Sequence, residues 1–265
     1  MRQFSLAVAL CTLALVTAGA LVTSNDAALA VPDWPLNWGR LVPPLEGGIR
    51  FEFAHRALAL LVAVLTSALA FRTQIRDTRP WMRKLAWWAV ATVVAQALLG
   101  GALVKLIDPK VLAIAHASLA EICFGLTVAI AAGYYEYSGA GNWVARMAVA
   151  VLFVQAVLGA AVRHGAMGVA WHIGGAVIAS AVAMWASLAL IGRHLEDGKM
   201  PRPAVALLVL TALQVFSGVA AYTVRAASID DPQPMPLTIW TTTAHVVLGA
   251  LVFGSAIVLA MDRRA

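Results

Sequence analysis

Long apolar runs, separated by short connections that carry the charges, prolines and glycines, divide this chain into eight segments. They run from Phe4 to Val22, Ile49 to Phe71, Leu85 to Val104, Val111 to Tyr135, Trp143 to Val162 and Met167 to Ile191, then from just after Pro203 to Val224, and from Leu237 to Met261. Each is near the roughly 20 residues that cross the hydrocarbon of a bilayer as a helix. Backbone groups in lipid must be satisfied within the segment, so the runs predict helices. Ala28-Leu29-Ala30 resembles a signal-peptide cleavage site. The uncharged run before it is 19 residues long, however, where a signal core spans about 7–15. Phe4 to Val22 is therefore read as a retained first span. The expected fold is an all-α integral membrane protein with eight transmembrane helices.

A repeat underlies the pattern. Gln96-Ala97-Leu98-Leu99-Gly100-Gly101 closes the third segment, and His116 follows early in the fourth. Gln155-Ala156-Val157-Leu158-Gly159-Ala160 closes the fifth, and His172 follows in the sixth. Gln214-Val215-Phe216-Ser217-Gly218 precedes His245, and Thr17-Ala18-Gly19-Ala20 precedes His55. The unit is a helix pair with small residues near one end and a histidine on the returning helix. Small residues let helix backbones approach closely. Four units make two pseudo-symmetric four-helix bundles, joined around Ser138 to Gly141. The expected division is residues 1–138 and 139–265.

Composition agrees with lipid as solvent. Hydrophobic residues make up 62% and charged residues 12%, where soluble domains carry about 25% charged. The net charge of +6 sits in short connections rather than on one polar face, which excludes a nucleic-acid partner and speaks for membrane orientation. One set of connections holds Arg2, Arg72, Arg76, Arg79, Arg83, Lys84, Arg146, Arg193, Lys199, Arg202, Arg263 and Arg264. The other holds Arg40, Arg50, Arg56, Lys105, Lys110, Arg163 and Arg225. Twelve against seven places both termini in the cytoplasm. The longest connection, Thr23 to Gly48, is then external, and its prolines and tryptophans suit a rigid interfacial segment. Cys11 and Cys123 lie inside apolar runs without a CxxC spacing and read as small buried hydrophobes.

The four repeated histidines carry the candidate chemistry. All lie on even-numbered helices, about 5–8 residues past the expected start, or roughly 8–12 Å deep at 1.5 Å per residue. In an up-down bundle the second and fourth helices are diagonal across the core. His55 should face His116, and His172 should face His245. Two imidazoles meeting across a bundle suit the two axial positions of a haem iron. Zinc would gather three or four ligands at one point. Glu52 shares a helix face with His55. It reads either as the partner of Arg56, one turn on, or as a proton acceptor or charge stabiliser beside the iron. Glu121, mid-helix, is a further candidate. His164 and His194 fall at helix ends. Arg56, Arg163 and His164 are candidate contacts for haem propionates.

The ordered motifs resemble the haem A synthase family. They are Val31-Pro32-Asp33-Trp34-Pro35-Leu36, Pro43-Pro44, Gly47-Gly48-Ile49 leading into Glu52-x-x-His55-Arg56, and Gln96-x-Leu98-Leu99-Gly100-Gly101 before His116. In the second half they are Gln155-x-x-Leu158-Gly159-Ala160-x-x-Arg163-His164, His172, and Thr243-x-His245 with Gly249-Ala250. The resemblance implies a membrane oxidoreductase that converts the methyl group of haem O to the formyl group of haem A. It implies His55 and His116 as axial ligands of the substrate haem, with Glu52 as the catalytic carboxylate. It implies a haem b cofactor held by His172 and His245. An electron donor, haem O synthase, membrane lipid and further copies of the chain are the partners that fit, in a bacterial plasma membrane. This chain departs from the family twice. No outer-loop cysteine pair exists, since Asn37-Trp38 follows the Pro-Leu. Phe53 stands where many members have another histidine. The alternative is a dihaem cytochrome that only transfers electrons. It accounts for the histidines but not for Glu52.

Overall fold

The computed structural model describes residues 1–107, 109–135, 143–195 and 201–261; the side chains of His194 and Leu195 and the junction between residues 138 and 139 lie outside the described residues. Eight helices follow in order: α1 (Arg2–Ser24), α2 (Ile49–Arg76), α3 (Pro80–Lys105), α4 (Lys110–Tyr134), α5 (Trp143–Arg163), α6 (Val169–Leu195), α7 (Arg202–Ala227) and α8 (Pro236–Ala260). All eight are long and apolar enough to cross a membrane. Leu60, Trp88, Leu98, Val177, Phe216 and Trp240 are exposed on helix faces, as lipid-facing side chains are. The chain is a multi-pass membrane protein.

Each helix packs on the next within a half, and α1 on α4 and α5 on α8 close two rings of four. In this arrangement α2 and α4 are diagonal, as are α6 and α8. The rings join along a seam in which α4 meets α5 and α8, and α1 meets α8.

Helix ends differ from the apolar runs where polar residues prolong a helix into water. α2 continues past Phe71 to Arg76, because Arg, Thr and Gln sustain a helix once it leaves the lipid. Its end is fixed by polar contacts: Asp77 pairs with Arg79 at 2.7 Å, Arg79 Nη1 donates to the Gly133 carbonyl at 3.0 Å, and Tyr134 donates to Thr73 Oγ1 at 3.0 Å. α6 begins at Val169 rather than Met167, after Gly165, whose φ of +64° is one that glycine adopts without strain.

The apolar cores sit at one end of each ring. Val8, Leu69, Ala70, Met82, Ala86, Ala89 and Ile130 pack together in the first half. Ala145, Ala148, Ala183, Leu207, Val252 and Leu259 do so in the second. Both clusters lie toward the Met1 end of α1 and its equivalents. The opposite end of each ring is occupied by the histidines.

Candidate functional site: paired histidines at one end of the two bundles

Each repeated histidine lies against a glycine of the preceding helix. A Cβ at Gly19 would stand 3.2 Å from His55 Cε1, at Gly100 3.5 Å from His116, at Gly159 3.0 Å from His172, and at Gly218 2.9 Å from His245. The small-residue motifs therefore provide the surfaces on which the rings rest. The helix starts do not fall at one level. His172 is the fourth residue of α6 and His245 the tenth of α8, yet the rings pair.

His55 and His116 have ring centroids 6.5 Å apart and planes at 73°. His172 and His245 are 6.1 Å apart at 87°. Two imidazoles bound to one iron from opposite sides, with N–metal bonds of about 2.0 Å, have centroids roughly 6.3 Å apart. The donor set and spacing in each half thus fit a six-coordinate haem iron. Among the described residues, no three His, Cys, Asp or Glu side chains gather at a point, so the residues do not suit a clustered-ligand metal site.

The rings differ in what supports them. Gln155 Nε2 lies 2.9 Å from both the carbonyl and Nδ1 of His172. Ser217 Oγ lies 3.0 Å from His245 Nδ1. Gln96 reaches only the His116 carbonyl, at 3.0 Å. The His116 Nδ1 is buried without a hydrogen-bond partner, and the His55 ring has only the Leu15 backbone carbonyl within reach.

Glu52 is buried in the first half, with 4% of its surface exposed. Its Oε1 pairs with Arg56, and its Oε2 accepts the Val31 N–H at 2.8 Å. Arg56 in turn donates to the carbonyls of Asp33 and Leu36, each at 2.8 Å, and to Asn37 Oδ1 at 3.2 Å. The connection between α1 and α2 is thereby fastened over the histidine end of the first bundle. Within it, Asn37 and Arg40 exchange backbone hydrogen bonds at 2.9 and 3.0 Å. Trp38 and Gly39 between them have φ of 56° and 67°, the hand of a type I′ turn. Asp33 accepts the Trp38 and Gly39 amides at 2.6 and 2.7 Å, and the Gly39 bond first, then that of Trp38, holds the Asp33 carboxyl below its usual range. Trp34 lies over Gly101 of α3, where a Cβ would come within 2.8 Å of the indole.

Arg163 crosses the seam, donating to the Ala20 carbonyl at 2.8 Å and Ser24 Oγ at 2.7 Å. Ser24 also contacts Thr242 and Thr243 of α8 at 3.1 and 3.2 Å. His164 follows the end of α5 and lies within electrostatic reach of His116, as Arg163 does of His245. The seam thus brings Arg163 and His164 between the two pairs. Glu121 Oε2 is buried without a hydrogen-bond partner. Cys11 and Cys123 are free thiols.

The pairing and the glycine contacts follow the sequence motifs. The loop acceptors of Arg56, the Val31 amide on Glu52, and the hydroxyl of Ser217 were not assigned from sequence. Only Ser217 left a signal there: it is the one polar residue in the position preceding the four glycines.

Residues 1–128 match the family model COX15-CtaA, described as cytochrome oxidase assembly protein. The heme A synthase of Symbiobacterium thermophilum is 38% identical over 89 residues, covering 34% of this chain and 29% of the relative. That of Wolbachia pipientis subsp. Culex pipiens is 32% identical over 119 residues, covering 40% and 34%. That of Chelativorans sp. is 28% identical over 140 residues, covering 48% and 39%. The matched stretches span about a third of the length of these relatives.

Proposed function

We propose that this chain, a member of the haem A synthase family, oxidises the methyl group of haem O to the formyl group of haem A. The observation that carries the reading is the presence of two imidazole pairs at haem-iron spacing, with a buried carboxylate one turn from His55 in the first. In this reading residues 1–138 take haem O between His55 and His116. Residues 139–265 keep haem b between His172 and His245.

Bound haem supplies the one-electron redox chemistry. Each of two hydroxylations of the methyl removes two electrons from the carbon to an external oxidant and adds one oxygen atom, and the geminal diol that results loses water to leave the formyl. The chain contributes position and charge. The Val31 amide and Arg56 hold the Glu52 carboxylate in a fixed orientation. A fixed anion there accepts a proton from the reacting carbon or stabilises positive charge on it. The loop fastened by Arg56, with Trp34 against α3, limits water at that end. Arg163 donates to neutral acceptors and so retains charge to attract porphyrin carboxylates. Arg56 and His164 stand at the same rim.

Haem O carries an apolar tail and would enter from lipid, delivered by haem O synthase, with electrons exchanged with a membrane donor. The excess of Arg and Lys on the connections at the Met1 end of the bundles supports a reading with both termini in the cytoplasm and the histidines near the outer face of a bacterial plasma membrane. Expression with a source of haem O, followed by acid chromatography of the extracted pigments, tests the reading. Haem A or its hydroxylated precursor is expected. Haem B alone would establish the electron-transfer cytochrome instead.

A further inference from the structure

The four helix-pair units can be laid over one another by the glycine that meets each histidine. The residue before that glycine is Ala18, Leu99, Leu158 and Ser217 in turn. Three copies are apolar there and one carries a hydroxyl. Ser217 donates its own proton to the Gln214 carbonyl at 2.9 Å, the usual bond of a helical serine. The lone pairs left on Oγ can only accept, and the atom 3.0 Å away is His245 Nδ1. That geometry puts the ring proton on Nδ1 and leaves Nε2 as the free electron pair. Gln214 Nε2 is 3.5 Å from that Nε2, at the limit of bonding distance.

No side chain supports either ring of the first half. His55 faces a helix with Ala18 in the serine position and Leu15 in that of Gln214, and His116 faces Leu99. His116 Nδ1 is buried without a hydrogen-bond partner, and the His55 ring has only the Leu15 backbone carbonyl within reach. Outer-shell acceptors on a ligand's second nitrogen fix the ring and raise its basicity, and losing one typically costs about 10–100-fold in metal affinity.

We propose that Ser217 is a positioning residue that fixes His245 for a retained haem, and that the first half, with no equivalent side chain at either ring and no acceptor at His116, holds its haem exchangeably. The inference rests on the haem reading above and supplies a physical reason for the two halves to play different parts. A substrate and its product must leave, whereas a cofactor must stay.

The test is transfer of haem from the purified full chain to excess apomyoglobin, with redox titration of the haem that remains. Wild-type protein is expected to lose haem in a fast and a slow phase, and His172→Ala to lack the slow one. Ser217→Ala should accelerate the slow phase about tenfold or more and raise the midpoint potential of that haem, because a ring without an acceptor on Nδ1 donates less to ferric iron. Ser217→Thr should restore both. Ala18→Ser, which places a hydroxyl beside His55, should slow the fast phase. Wild-type protein that holds haem, with an unchanged slow phase and potential in Ser217→Ala and an unchanged fast phase in Ala18→Ser, overturns the inference alone. Wild-type protein without haem overturns the haem reading and this inference together.

Discussion

Glu52 and Arg56, one turn apart on α2, form an ion pair, the carboxylate buried and the guanidinium partly so, that also fastens the loop between α1 and α2. The carboxylate is oriented by a guanidinium on one oxygen and a backbone amide on the other. The guanidinium is oriented by carbonyls from residues 33 and 36. The pair thus joins a structural task to the proposed chemical one. A change at either residue should affect both, in different proportion.

Glu52→Gln keeps the size of the side chain and the capacity to accept the Val31 amide, while removing the charge. Haem content should stay within about twofold of wild type, while formation of haem A falls by about 100-fold or more, within the range attributed to general acid–base groups. Pigment extraction with a haem O source measures both. Unchanged haem A production in this variant would remove Glu52 from the mechanism. Arg56→Ala should instead free the loop and leave the carboxylate buried without its partner, a loss of about 3–5 kcal/mol. Hydrogen exchange should quicken at the amides of Val31, Trp38 and Gly39. Protection equal to wild type at those amides would show that the loop is held by other means.

At the opposite end of the first bundle, Asp77 and Arg79 make a similar prediction in pH. The Arg79 guanidinium holds the Asp77 carboxyl below the usual carboxylate range. A carboxyl depressed in the folded state contributes stability that is full above its unfolded value and is lost as pH falls through the folded one. Asp77→Asn should therefore lower the Tm of detergent-solubilised protein at pH 7, by an amount equivalent to about 1 kcal/mol. The gap from wild type should narrow as pH falls below about 4. A gap that stays constant down to pH 3 would mean that packing, not charge, is what the substitution removes.

The sequence reveals the spans and the histidine pairing because lipid imposes a simple rule. Every backbone group must be satisfied inside its own helix, so apolar runs map onto helices almost directly. A repeat then fixes which helices face each other. His172 and His245 show how far that goes: they start at different distances along α6 and α8, yet meet at 6.1 Å. What sequence does not reveal is set by contacts between distant segments. Nothing in Val31-Pro32-Asp33 indicates that its first amide will cap Glu52, or that Asp33 will turn both carboxylate oxygens onto Trp38 and Gly39. Ser217 sits in a motif read only for its small size. Its hydroxyl matters because α8 brings His245 beside it.

The glycines offer a graded test of the site. Alanine at each places one methyl group where a histidine ring edge lies, at 2.9 Å for Gly218, 3.0 Å for Gly159, 3.2 Å for Gly19 and 3.5 Å for Gly100. Contact at 3.5 Å is ordinary for carbon atoms, whereas a methyl at 2.9 Å forces the ring to move. Overpacking of this kind costs about 1–3 kcal/mol, and a ring free to swing away takes the strain as displacement. Gly218→Ala and Gly159→Ala should therefore lose the haem of the second half from folded protein. Gly19→Ala should weaken the first site partially, and Gly100→Ala should behave as wild type. Gly174→Ala is the control, since a Cβ there meets nothing within 4 Å. Haem stoichiometry and the reduced-minus-oxidised spectrum of each purified variant measure the series. Loss of haem in an order unrelated to these distances would show that the glycines serve helix packing in general rather than the seating of the imidazoles.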